Sequence, residues 1–174
     1  MEITTVMGIP AHPLMVHAPV VLVPLCAIAA ILMIWPSWRA RIGWIAVVLS
    51  GAALVFTQLA IGSGEALEES VKETRLVEQH TEMGESGRPW VFLLFVGLLA
   101  VMLLGIWLKR RAAASGATLA PNPTVVFVVA IITALVGLMA SYQIYRIGHS
   151  GAKATWADVK VRSGGGEGGE SGER

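Results

Sequence analysis

The chain is short of charge, cysteine and aromatic rings. Only 14% of its 174 residues are Asp, Glu, Lys or Arg, against about 25% in an ordinary soluble domain. With 55% hydrophobic residues, it is neither a disordered chain nor a typical water-soluble globule. The formal net charge of +1 excludes the basic surface that nucleic-acid binding needs. The single cysteine, Cys26, excludes an internal disulfide and every multi-cysteine metal motif. No phosphate-binding loop, nucleophile–base pair or paired buried carboxylate is readable, so hydrolase and kinase chemistry have no support.

The placement of the few charges carries the fold. None falls in 13–38, 42–64, 89–108 or 112–145. Crossing about 30 Å of hydrocarbon takes about 20 mostly apolar residues, and a backbone in lipid must satisfy its own hydrogen bonds. The sequence therefore predicts an all-α, four-helix transmembrane bundle with spans at about 15–35, 42–61, 90–108 and 124–145. Trp35, Trp38, Trp44 and Trp107 fall at one set of span ends, and Trp90, Tyr142 and Tyr145 at the other, as expected of interfacial rings. The short loops after spans 1 and 3 hold Arg39, Arg41, Lys109, Arg110 and Arg111. The positive-inside rule then puts both termini outside the cytoplasm of a bacterial inner membrane. Span 1 is too long for a signal-peptide core and lacks a basic leader, so it is expected to remain as a helix. The last twelve residues, SGGGEGGESGER, have nothing to bury and are expected to be disordered.

Between spans 2 and 3 the chain carries seven glutamates. Gly62-Ser63-Gly64 is expected to end span 2, and Glu68 and Lys72, at i and i+4, support an extramembrane acidic surface helix. Pro24 should kink span 1. Gly97 and Gly105, together with Thr133, Gly137 and Ser141, read as faces for close helix–helix contact. Gln58 reads as a hydrogen-bonding partner for a neighbouring helix, and Cys26 as a packing residue.

The four histidines are His12, His17, His80 and His149. In a four-span chain, the start of span 1, the 2–3 segment and the end of span 4 all lie on one side of the membrane. Imidazole is a common metal and haem ligand. His12 and His17 are five residues apart, about 140° around a helix, so ligands must come from different segments. His17 with His80 and His17 with His149 are the natural pairs. One reading is a haem b between two histidines. Another is copper or another transition metal. For that, Met15 and Met83 offer thioethers that suit copper(I), and Glu65, Glu78 or Glu82 offer harder ligands. The third is that the rings only hydrogen-bond backbone and headgroups.

GIPAHPLMVHAPVVLVPL (Gly8–Leu25), GSGEALEE (Gly62–Glu69), EQHTEMGE (Glu78–Glu85) and GHSGAKATW (Gly148–Trp156) follow one another along the chain. This arrangement resembles the bacterial membrane family catalogued as domain of unknown function 2231, over nearly the whole chain apart from the tail. The resemblance implies a multi-span protein with histidines at these places. It also implies the company of Rieske-type or cytochrome c domains, to which some relatives are joined. Carried onto this chain, it points to His12, His17, His80 and His149, then Glu65. The sequence has no iron–sulfur or CxxCH motif, so a redox partner would be a separate membrane protein. The competing expectation is a structural or accessory subunit of a larger membrane complex.

Overall fold

The computed structural model describes residues 5–71, 74–114 and 124–156. A two-residue strand pair, β1 (Thr5–Val6) and β2 (Ile9–Pro10), precedes four helices. Its turn holds Met7 at φ 51° and Gly8 at φ 81°, the two positive φ values among the described residues. Two left-handed residues match the twist of a tight hairpin. The helices are α1 (Ala11–Leu32), α2 (Pro36–Glu68), α3 (Arg75–Ala114) and α4 (Thr124–Trp156). They run up and down in a ring: α1 packs on α2 and α4, α3 packs on α2 and α4, and contact across the α1–α3 diagonal is slight. All four are long and apolar enough to cross a membrane.

Two boundaries differ from expectation for local reasons. α1 opens at Ala11 rather than near Met15, with Pro13 in its first turn. The first-turn N–H groups have no helical acceptor, so proline costs little there. His12 is therefore helical. α1 stops at Leu32, short of Trp35, because Pro36 opens α2 and holds Trp35 extended (φ −85°, ψ 127°).

The larger correction concerns the acidic segment. Among its described residues, helix runs to Glu68 and resumes at Arg75 as parts of α2 and α3, with no separate helix between them. α2 runs through Gly62-Ser63-Gly64 to Glu68, and α3 begins at Arg75. The glycines do not cap because neither is left-handed, and packing favours helix here. Ser63 is buried and donates to the Ala60 carbonyl at 3.1 Å, while Gly64 lies under the His12 ring. Lys72, and with it the expected pair to Glu68, lies outside the described residues, as does the tail 163–174. At about 1.5 Å per residue, the 40 residues of α3 span roughly 60 Å, twice the hydrocarbon thickness. α3 is thus longer than one crossing requires, and its polar first part, Arg75–Arg88, precedes its apolar part.

The interior is built from small residues and the exterior from large ones. Ala53 and Ala130 are 0% exposed, whereas Val48 is 67% and Leu135 61% exposed. Lipid solvates leucine as well as a core does, so association rests on close backbone approach. A Cβ on Gly137 would lie 3.0 Å from Ala27 Cα, and one on Gly97 would lie 2.7 Å from Thr133 Oγ1. Gly105 instead faces Arg39, so it does not share the close helix contact of Gly97. Buried hydroxyls are satisfied inside their own helices: Thr57 donates to Ala53 and Ser50 to Val47. Gln58 does bridge helices, accepting from Arg88 of α3 at 3.3 Å. Cys26 is fully buried as a packing residue.

Candidate functional site

The end of the bundle where α1 begins, α2 ends, α3 begins and α4 ends carries all four histidines. The one-sided placement expected from parity is what the fold has. The pairing is different. The rings that meet are His12 of α1 and His80 of α3, with centroids 6.0 Å apart and planes at 77°. Placing His12 inside the helix is what brings it to this pair.

Each ring is tethered through the same nitrogen. His12 Nδ1 lies 2.9 Å from the Ala60 carbonyl of α2. A carbonyl only accepts, so Nδ1 carries a proton, and in the neutral ring Nε2 keeps its lone pair. His80 Nδ1 lies 2.9 Å from Ser150 Oγ of α4, and Ser150 gives its own hydroxyl proton to the Ile147 carbonyl at 2.8 Å. Ser150 must then accept from His80, and in the neutral ring Nε2 of His80 likewise keeps its lone pair. Metal-binding histidines are oriented by this kind of outer hydrogen bond.

Two glycines make the seats. A Cβ on Gly64 would stand 3.0 Å from both Cε1 and Nδ1 of His12. One on Gly151 would stand 2.8 Å from Cε1 and 3.1 Å from Nε2 of His80. Each imidazole thus lies on bare helix backbone. Burial holds the His80 imidazole below its ordinary range, and the nearby His12 adds to this; the Ile147 carbonyl and Glu68 act in the opposite sense.

The other expected ligands are less gathered. His17 is exposed, and its Nδ1 bonds the Pro13 carbonyl of its own helix. His149 is exposed and stacks on Tyr145, with centroids 6.1 Å apart and planes at 13°. Glu65 is exposed, as are Glu78 and Glu82. Met15 and Met83 are half-buried and stand one turn along from His12 and His80 on the same helix faces. Among the described residues no three His, Cys, Asp or Glu side chains form a ready metal group.

Sequence reasoning missed Ala60, Gly64, Glu68, Ser150 and Gly151. Ala60, Gly64 and Glu68 recur every four residues along one face of α2. Gly64 and Glu68 belong to GSGEALEE, and Ser150 and Gly151 to GHSGAKATW. The signal was a glycine kept inside a polar helical stretch opposite a histidine.

Two rings bound to one ion at about 2.0–2.1 Å per nitrogen have centres roughly 5–6.5 Å apart. The observed 6.0 Å falls in that interval. No curated protein and no solved structure matches the chain. The family model described as predicted membrane protein (DUF2231) matches residues 8–162. That range takes in all four histidines and both glycine seats, and the chain belongs to this family of membrane proteins.

Proposed function

We propose that the protein is a membrane module that holds a transition metal between His12 and His80, in the service of membrane electron transfer. The observation that carries the reading is the tethering of both Nδ1 atoms, which leaves two Nε2 lone pairs on rings 6.0 Å apart. Two neutral imidazoles with a thioether from Met15 or Met83 suit a soft ion such as copper(I). When bound, such an ion supplies one-electron chemistry. The protein's part is to hold the rings, fix their tautomers and limit water. A haem b on the same two histidines is the second form of the reading. It needs a flat clearing between the rings, and rings seated on Gly64 and Gly151 favour a single ion. With the basic loops in the cytoplasm, the pair lies on the outer side of the membrane.

The test is a copper(I) titration of purified protein against a chromophoric chelator, with an optical spectrum for haem. One equivalent should bind. His12→Ala with His80→Ala should weaken binding by more than about 100-fold, beyond the range of an outer-shell change. His17→Ala with His149→Ala should leave it within about twofold of wild type. Equal loss in both double variants, or neither bound metal nor Soret absorbance, would sink the reading. A stoichiometric copurifying protein in that case would favour an accessory subunit.

A further inference from the structure

His17 and His149, left out of the pair, belong to a different place. An open groove of about 410 Å³ runs between α1 and α4, lined by Val20, Pro24, Ser141, Tyr145, Gly148 and His149. Binding sites for small molecules typically measure about 300–1,000 Å³. Ala27 lies against Gly137. From that level His17 is ten residues up α1 and His149 twelve residues up α4, about 15 and 18 Å. Both histidines therefore stand at the outer rim, and His17 shares a helix face with Val20 and Pro24.

Four features of the groove point to its ligand. Its α4 wall offers donors: neither the Tyr145 hydroxyl nor the His149 ring has a hydrogen-bond partner among the described residues. Its α1 wall, level with Tyr145, offers an acceptor. Pro24 has no N–H, so the Val20 carbonyl loses its helical donor within the apolar part of the span, where an unsatisfied carbonyl is costly. Its floor is kept empty. A Cβ on Gly148 would meet nothing within 4 Å, so no packing against this chain explains a residue that weakens a helix by about 1 kcal/mol. Finally, the lining holds no lysine or arginine among the described residues, and Arg146 lies instead over the Tyr142 ring. An anionic headgroup would have no counter-charge there.

We propose that this groove binds the ring of a lipid-soluble quinone or its hydroquinone. The ring is neutral and flat. One oxygen accepts from Tyr145 or His149, and in the hydroquinone the other donates to the Val20 carbonyl. The isoprenoid tail leaves along the lipid-facing side of α1 and α4. The groove adjoins the histidine pair through α4, since His149 faces the groove and the next residue, Ser150, bonds His80. The site stands without the metal reading, because binding here uses none of the pair's residues.

The test is photolabelling of the protein in lipid nanodiscs with an azido-quinone, mapped by mass spectrometry. Label should concentrate on 141–149 and 17–24 and be competed by a short-chain ubiquinone. Gly148→Leu fills the floor and His149→Leu removes a donor; each should cut labelling by about tenfold, the worth of one good hydrogen bond or its equivalent in lost space. His12→Ala with His80→Ala should leave labelling unchanged, which separates this site from the metal site. Label spread along all lipid-facing helices would overturn the proposal. So would competition by phosphatidylglycerol but not by the quinone, or undiminished labelling in both Gly148→Leu and His149→Leu.

Discussion

Gly151→Ala tests whether the histidine pair is a built site, because it alters the seat of a ligand without touching a ligand. The new Cβ would fall 2.8 Å from Cε1 and 3.1 Å from Nε2 of His80, so the ring must move. Moving it breaks the 2.9 Å bond to Ser150, worth about 0.5–1.5 kcal/mol, and shifts the ring relative to His12, 6.0 Å away. Loss of an outer-shell partner typically lowers metal affinity by about 10–100-fold, or roughly 1.4–2.8 kcal/mol. The fold should hardly respond. Alanine gains about 0.5–1 kcal/mol over glycine within a helix, and the obstructing atoms are the far end of a side chain. That keeps the packing penalty near the low end of about 1–3 kcal/mol. Gly148→Ala, three residues away with nothing within 4 Å, is the control. A copper(I) competition titration should show the 10–100-fold drop for Gly151→Ala alone, with melting temperatures near wild type in both. Unchanged affinity in Gly151→Ala, or an equal drop in Gly148→Ala, would refute the reasoning.

Three further outcomes follow from the same structure. Gly137→Val should destabilise the bundle by about 1–3 kcal/mol, because its Cβ meets the Ala27 backbone at 3.0 Å; equilibrium unfolding in mixed micelles measures it, and wild-type stability would contradict the packing. An NMR titration should place the His80 midpoint below 6.5, since burial and His12 disfavour its charged form, and Glu68→Gln should lower it further. In that window the unfolded chain binds the proton first, so His80's contribution to stability is complete above pH 6.5 and erodes as pH falls toward the folded midpoint; a midpoint above 6.5 would reverse the argument. In a Cys26→Ser background, Glu78→Cys and Ala152→Cys should react with an impermeant thiol reagent from outside the cell, and Lys109→Cys only after permeabilisation. The opposite pattern would invert the topology.

The spans were readable because charge cannot enter hydrocarbon: four stretches without Asp, Glu, Lys or Arg became four helices. The common side of the histidines followed from counting spans. Helix ends were harder. Gly62-Ser63-Gly64 looks like a stop by propensity, yet helix continues because Ser63 is buried and Gly64 seats a ring. Pro13 looks like a barrier, yet a helix's first turn tolerates it. A span beginning near 15 leaves His12 outside the helix, and a stop at Gly62-Ser63-Gly64 hides Gly64 as the seat of its ring.

The sequence by itself determined the membrane bundle, the gathering of its histidines on one side and the charge of its loops. Each depends on the cost of moving charge or bare backbone into lipid, and that cost is set residue by residue. The tertiary structure decided the partners. Which imidazole meets which depends on helix rotation and on where a missing side chain lets a ring approach backbone. Those contacts join residues 48 and 70 positions apart. The structure thus paired His12 with His80 over Gly64 and Gly151, left His149 lining an open groove between α1 and α4, and left His17 exposed on α1.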